Sequence, residues 1–155
     1  MGHEGGCVDD PADKGGETYK GIARRYNPGW NGWKQIEALK VTDNFPGCLN
    51  KSRKLQNSVK RYYKQHYWDK FWGDEIPNRL LAEELFDTSV NMGVSRAVRY
   101  LQVGLNVLNR NGKLFADLVE DGRFGVKTLK AVKIFLKKDR IDPLFKIMNI
   151  LKGMH

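Results

Sequence analysis

Cysteine, histidine and long apolar runs are all scarce in this sequence. Only two cysteines, Cys7 and Cys48, stand in 155 residues. That is too few for a disulfide framework, and their spacing is not that of a metal site. Both are read as free thiols, with a single bridge between them as the alternative. His66 has no second His or Cys beside it at ligand spacing, so no metal is expected there. No run reaches the roughly 18 apolar residues that a bilayer span requires, and stable membrane insertion is not expected. No apolar segment follows the N-terminus, which predicts no secretory signal peptide. Internal repeats and low-complexity tracts are missing as well, which leaves an ordinary globular chain.

Acidic residues are outnumbered. Lys and Arg total 27 against 18 Asp and Glu, giving a formal charge of +9 and a pI near 9.6. Such a chain is drawn to polyanions. Nucleic acid is one class; a bacterial cell wall, with its peptide carboxylates, is another. The length suits one domain, or a domain with a small subdomain fused to it. With 41% apolar residues, a core can be buried.

The most informative stretch runs from Glu4 to Ile22. It holds five glycines and five carboxylates in nineteen residues. That is too much glycine for a helix interior and too much acid for a strand buried on both faces. Calcium-binding loops share this composition, but the EF-hand ladder of acids ending in Glu is absent. The order E-G-G-x(6)-D-x-G-G-x-T-x-x-G-I, carried here by Glu4, Gly5, Gly6, Asp13, Gly15, Gly16, Thr18, Gly21 and Ile22, resembles the opening motif of glycoside hydrolase family 108, the phage-type N-acetylmuramidases. The resemblance implies a general acid at Glu4 and, at Asp13, a carboxylate that positions or activates water with help from the Thr18 hydroxyl. For the acid to stay protonated near neutral pH, burial or a neighbouring charge must raise its pKa. Carboxyls about 6.5–9.5 Å apart would give inversion, and about 5–5.5 Å retention; the sequence alone leaves this open, with a lean to inversion. Only three residues precede Glu4, whereas family members carry a helix there, so the sequence is expected to be truncated or to start late.

Downstream, Asn27-Pro28-Gly29 is turn chemistry. Trp30 and Trp33 are candidates to line a saccharide groove by stacking on sugar faces, with core packing as the alternative. Apolar residues at three- and four-residue steps predict one long helix from Leu49 to Trp72, whose other face is basic and read as solvated, with attraction to the wall as a further role for it. A second helix is predicted over Arg79 to Met92. Its segment Leu85-Phe86-Asp87-Thr88-Ser89-Val90-Asn91-Met92-Gly93 resembles the second signature of the same family. Asp87 is expected as a buried brace, and Asn91 as a hydrogen-bonding group for substrate. Ser95 is expected to cap a helix running to about Asn109. Leu101-Gln102 together with Asp121-Gly122-x-Phe124-Gly125-x-x-Thr128 resembles a peptidoglycan-binding module. Further helices are predicted over Val126 to Lys138 and from Asp142-Pro143 onward.

These readings imply a mostly α, lysozyme-like fold with an irregular glycine-rich loop or short β-hairpin at its active site. Residues 1–92 would form the catalytic region, its N-terminal helix truncated, and residues 93–155 a peptidoglycan-binding-like region packed on it. The implied activity is hydrolysis of the β-1,4 bond between N-acetylmuramic acid and N-acetylglucosamine, as in a lysozyme or endolysin. The implied partner is peptidoglycan, with no nucleic acid, no cofactor and a monomeric state. The protein would be made in the cytoplasm and reach the wall on release or export. A non-catalytic wall-binding protein is the alternative.

Overall fold

The computed structural model describes residues 7–9, 17–42 and 45–154. The chain divides into two compact units, Met1–Tyr63 and Lys64–His155.

In the first unit, three short strands form an antiparallel sheet in chain order: β1 (Cys7–Asp9), β2 (Glu17–Tyr19) and β3 (Ile22–Ala23). Val8 faces Thr18, and Tyr19 faces Ile22. The β2–β3 connection is two residues, Lys20 and Gly21, both with positive φ (48° and 84°). That is the type I′ geometry whose twist matches flanking strands. Gly21 is needed twice over, since a Cβ there would also lie 2.7 Å from the Tyr63 hydroxyl. Helices α1 (Gly32–Lys40), α2 (Cys48–Lys51) and α3 (Arg53–Tyr63) cover the sheet's apolar residues. Tyr19, Ile22, Trp33, Ile36, Leu49, Leu55 and Val59 make one core. Cys48 is a buried free thiol.

The long helix predicted from Leu49 to Trp72 is interrupted. Ser52 leaves helical geometry (ψ 104°), and its Oγ accepts the Leu55 N–H at 3.2 Å. A serine so placed caps the following helix, and this local bond outcompetes helix continuation. At the far end the chain passes into a π-helical turn over Lys64–Trp68.

The second unit continues with 3₁₀ turns at Asp69–Phe71 and Gly73–Glu75, separated by Trp72 in the left-handed region (φ 55°, ψ 48°). Four helices follow: α4 (Arg79–Met92), α5 (Val94–Val107), α6 (Val126–Lys138) and α7 (Asp142–Gly153). Asn78 caps α4 by accepting the Leu81 N–H at 3.0 Å. Helix α5 is central and packs on α4, α6 and α7. Its Gly104 lets α7 approach closely; a Cβ there would sit 2.6 Å from Leu144 Cδ1. Leu81, Leu85, Leu101, Leu105, Val132, Phe135, Leu144 and Met148 fill the core.

The boundary expected near Gly93 falls inside this unit. Helices α4 and α5 share its core, and the break in packing lies between Tyr63 and Lys64. Gly93 is a one-residue corner with φ 97° and ψ 150°, a conformation open essentially to glycine alone. The corner lets α5 start at Val94, so Ser95 lies within the helix rather than capping it. Among the described residues no helix is long and apolar enough to cross a membrane.

Candidate active site

Of the three residues expected to carry chemistry, Thr18 is described; Glu4 and Asp13 lie outside the described residues. Strand alternation sets the direction of Thr18. Its neighbours Glu17 and Tyr19 are buried, while Thr18 is half-buried on the opposite face of β2.

What holds that strand is a charge network that the motif alone does not reveal. The Glu17 side chain is 8% exposed and meets Arg24 Nη1 at 2.7 Å and Lys40 Nζ at 2.6 Å. Glu37 lies on the solvent side, 2.6 Å from Arg24 and 3.0 Å from Lys40. The network joins β2, the segment after β3 and the last turn of α1. Glu37, then Glu17, hold the Arg24 guanidinium above its usual pKa. Arg24, then Lys40, hold the Glu37 carboxyl below the usual carboxylate range. Burial pulls Lys40 down, but its bonds to Glu17 and Glu37 outweigh that and raise it. A buried carboxylate is tolerable only when paired in this way. Arg24 also lies over the Trp33 ring, 5.4 Å from its centroid.

The opposite end of the hairpin is clamped by α3. Gln56 donates to the Tyr19 hydroxyl at 2.9 Å and to the Leu49 carbonyl at 2.8 Å. The Tyr63 hydroxyl donates to the Lys20 carbonyl at the turn itself. Strand and turn are thus fixed by side chains from two helices, which is how a small sheet without a large core of its own holds one geometry.

The two tryptophans divide. Trp33 is 2% exposed and donates its indole N–H to the Asn27 carbonyl at 2.8 Å. It is a core residue, and a sugar face cannot reach it in this arrangement. Trp30 packs edge-on against Trp33 and Tyr62, yet stays half-buried and keeps part of its ring at the surface.

In the second unit, Asn91 is exposed on the last turn of α4. Asp87 is exposed too, contrary to the expectation of a buried brace. The helical period places Leu85, Thr88 and Ser89 inward instead, and the two hydroxyls donate to the carbonyls of Glu84 (2.8 Å) and Leu85 (2.6 Å). The segment carrying Asp121 and Thr128 is organised by Gln102, which is 1% exposed. Its amide donates to the Arg123 carbonyl at 3.0 Å and to Thr128 Oγ1 at 3.2 Å, and its oxygen accepts the Gly122 N–H at 3.0 Å. Gly122 has φ 73°, and a Cβ would lie 2.6 Å from the Ser95 carbonyl oxygen. Asp121 accepts the Arg123 N–H at 2.9 Å, which with the Gln102 amide holds its carboxyl below the usual range. Beside this turn lies an open groove of about 410 Å³, lined by Asp117, Val119, Phe124 and Lys127 among others. Among the described residues no three His, Cys, Asp or Glu side chains gather as metal ligands.

The family model described as glycosyl hydrolase 108 matches residues 1–93. Among solved structures the chain is similar to SagA of Brucella abortus, at 27% identity and a TM-score of 0.55, covering 96% of this chain and 70% of that one. No curated protein matches it. The fold is the mostly α, lysozyme-like one that the sequence implies.

Proposed function

Because the chain belongs to glycosyl hydrolase family 108, we propose that it is a peptidoglycan hydrolase that cleaves the β-1,4 bond between N-acetylmuramic acid and N-acetylglucosamine. The observation that carries this reading is the family match over residues 1–93, which spans the whole Glu4–Ile22 motif. Glycoside hydrolysis needs a carboxylic acid to protonate the leaving oxygen and a second group on the opposite face of the sugar. Glu4 is assigned the first role. Asp13 and Thr18 are assigned the second, as a carboxylate and a hydroxyl that hold the attacking water between them. The fixed orientation of β2, with Glu17 and Tyr19 buried, supports the role of Thr18, because a water-holding hydroxyl must not wander. Trp30 is assigned a sugar-stacking role on its exposed part, and Asn91 a substrate hydrogen bond. The groove beside the Gln102 turn is the part of the second unit assigned to holding the wall. The protein acts as a monomer, without a cofactor, after release or export from the cytoplasm.

The test is incubation of the purified protein with peptidoglycan, followed by analysis of the soluble products. New reducing ends on N-acetylmuramic acid are expected. Ends on N-acetylglucosamine instead would overturn the assigned bond. Sedimentation with the wall and no release of ends would favour the non-catalytic binder.

A further inference from the structure

Between Asp43 and Asp69 the sequence contains no acidic residue, and six lysines and arginines fall in that interval. Helix α3 gathers most of them on one side. Arg53, Lys54, Asn57, Lys60 and Arg61 follow helical steps of one, four, seven and eight from Arg53, and all are exposed. Their complement on the helix, Leu55, Ser58 and Val59, is buried. The exposed face therefore covers about a third of the helix circumference at ~100° per residue. Its charges span ~12 Å along the axis, at ~1.5 Å per residue. Lys51 on α2 extends the same sequence run.

Among the described residues these cations have no carboxylate paired with them, whereas some others do. Arg24, Lys40, Lys64, Arg79, Arg110 and Lys152 each form an ion pair. Among the described residues Arg53, Lys54, Lys60 and Arg61 form none, and α3 itself carries no acid with which to form an i, i+4 pair. A helix that gained only solubility from its charges would interleave both signs, since like charges one turn apart repel by a few tenths of a kcal/mol. Four unpaired cations on one face, whose field reaches ~10 Å at about 0.1 M salt and further at lower salt, make a strip for an extended polyanion.

We propose that this face of α3 is a docking strip for the peptide carboxylates of the peptidoglycan polymer, and that it holds the enzyme on its insoluble substrate. The proposal rests on the reading of peptidoglycan as substrate and adds to it the chemistry of retention. Carboxylates are the matching groups because guanidinium and ammonium donors at helical spacing can each take one, and successive stems along a glycan supply them at intervals. Multiple weak contacts of this kind add up as avidity while each remains quick to release.

The test uses the full chain and the variant Arg53→Gln, Lys54→Gln, Lys60→Gln, Arg61→Gln. All four positions are exposed and make no described ion pair, so the variant is expected to keep its Tm. Both proteins are sedimented with purified peptidoglycan at low and high salt. The same is done with peptidoglycan whose carboxyls have been amidated, and retention on duplex DNA is measured beside it. The parent is expected to bind native peptidoglycan about tenfold more tightly than the variant at low salt, and the two should converge at high salt. Amidation should bring the parent down to the variant. Equal retention of both proteins on native peptidoglycan, or retention of the parent that stays above the variant's after amidation, would overturn the proposal. So would a strip that holds DNA and not peptidoglycan. If retention behaves as expected but neither protein releases reducing ends, the docking strip stands and the hydrolase reading fails.

Discussion

Glu17 Oε2 lies 2.6 Å from Lys40 Nζ, and that contact ties the second strand of a small sheet to the last turn of α1. Thr18, one residue on, points the other way. The position of a hydroxyl assigned to catalysis therefore depends on a buried charge behind it. Glu17→Gln keeps the shape of the side chain and removes its charge. It is expected to lower unfolding stability by about 1–3 kcal/mol, because Arg24 and Lys40 lose a charged partner, and by no more because both are partly exposed and regain water. It is also expected to lower kcat more than it raises KM, through Thr18. Denaturant unfolding and steady-state kinetics on a soluble glycan check the two parts. A variant with lower stability and unchanged kcat would show that the network braces the fold only.

In the second unit, Gln102 holds the Gly122–Thr128 turn from a fully buried position. Gln102→Ala leaves the Gly122 N–H and the Thr128 hydroxyl without their partner. The expected loss is about 1–3 kcal/mol, the desolvation cost of buried polar groups left unpaired. Gln102→Glu should recover little of it, since the amide N–H groups that reach Arg123 and Thr128 are gone. Thermal unfolding monitored by circular dichroism measures both, and a wild-type Tm for either would contradict the role given to this side chain.

Asp121 gives a pH signature. Its carboxyl is held below the usual range by the Arg123 N–H and Gln102. A carboxylate with a depressed folded pKa contributes stability above the unfolded value of about 3.9, and loses it as pH falls through the folded value. The native protein should therefore lose stability below about pH 4 more steeply than Asp121→Asn, which lacks that titration. Unfolding midpoints across the acid range test this. Parallel curves for the two proteins would contradict it.

Much of the fold could be read from residue order. The apolar period of Val126–Lys138 and of Arg79–Met92 marks α6 and α4 directly, whereas the turn at Lys20-Gly21 carries no Asn-Gly or Asp-Gly signal and shows only in the backbone angles. The long α3 segment was harder, because Ser52 looks like any polar residue on a helix surface until its hydroxyl is seen to cap the Leu55 N–H. Asp87 departs from expectation for a related reason. A polar residue inside a signature invites a buried role, yet its phase on the helix turns it out and brings Thr88 and Ser89 in. The unit boundary at Tyr63 left no composition shift, since it falls inside a continuous helical run. At the site, the motif names Glu4, Asp13 and Thr18, whereas the Glu17–Arg24–Glu37–Lys40 network brings together four positions spread over 24 residues. Only the Glu37–Lys40 pair, three apart on α1, has a local spacing that a sequence can display.

The central claim is that one carboxylic acid at the start of the chain protonates the glycosidic oxygen. Its most direct measurement compares the protein with Glu4→Gln for release of N-acetylmuramic acid reducing ends from peptidoglycan, with sedimentation binding and Tm recorded alongside. An amide cannot supply the proton, so release should fall by at least about 10²-fold while binding and Tm hold. Release by Glu4→Gln at the parent rate would contradict the assignment.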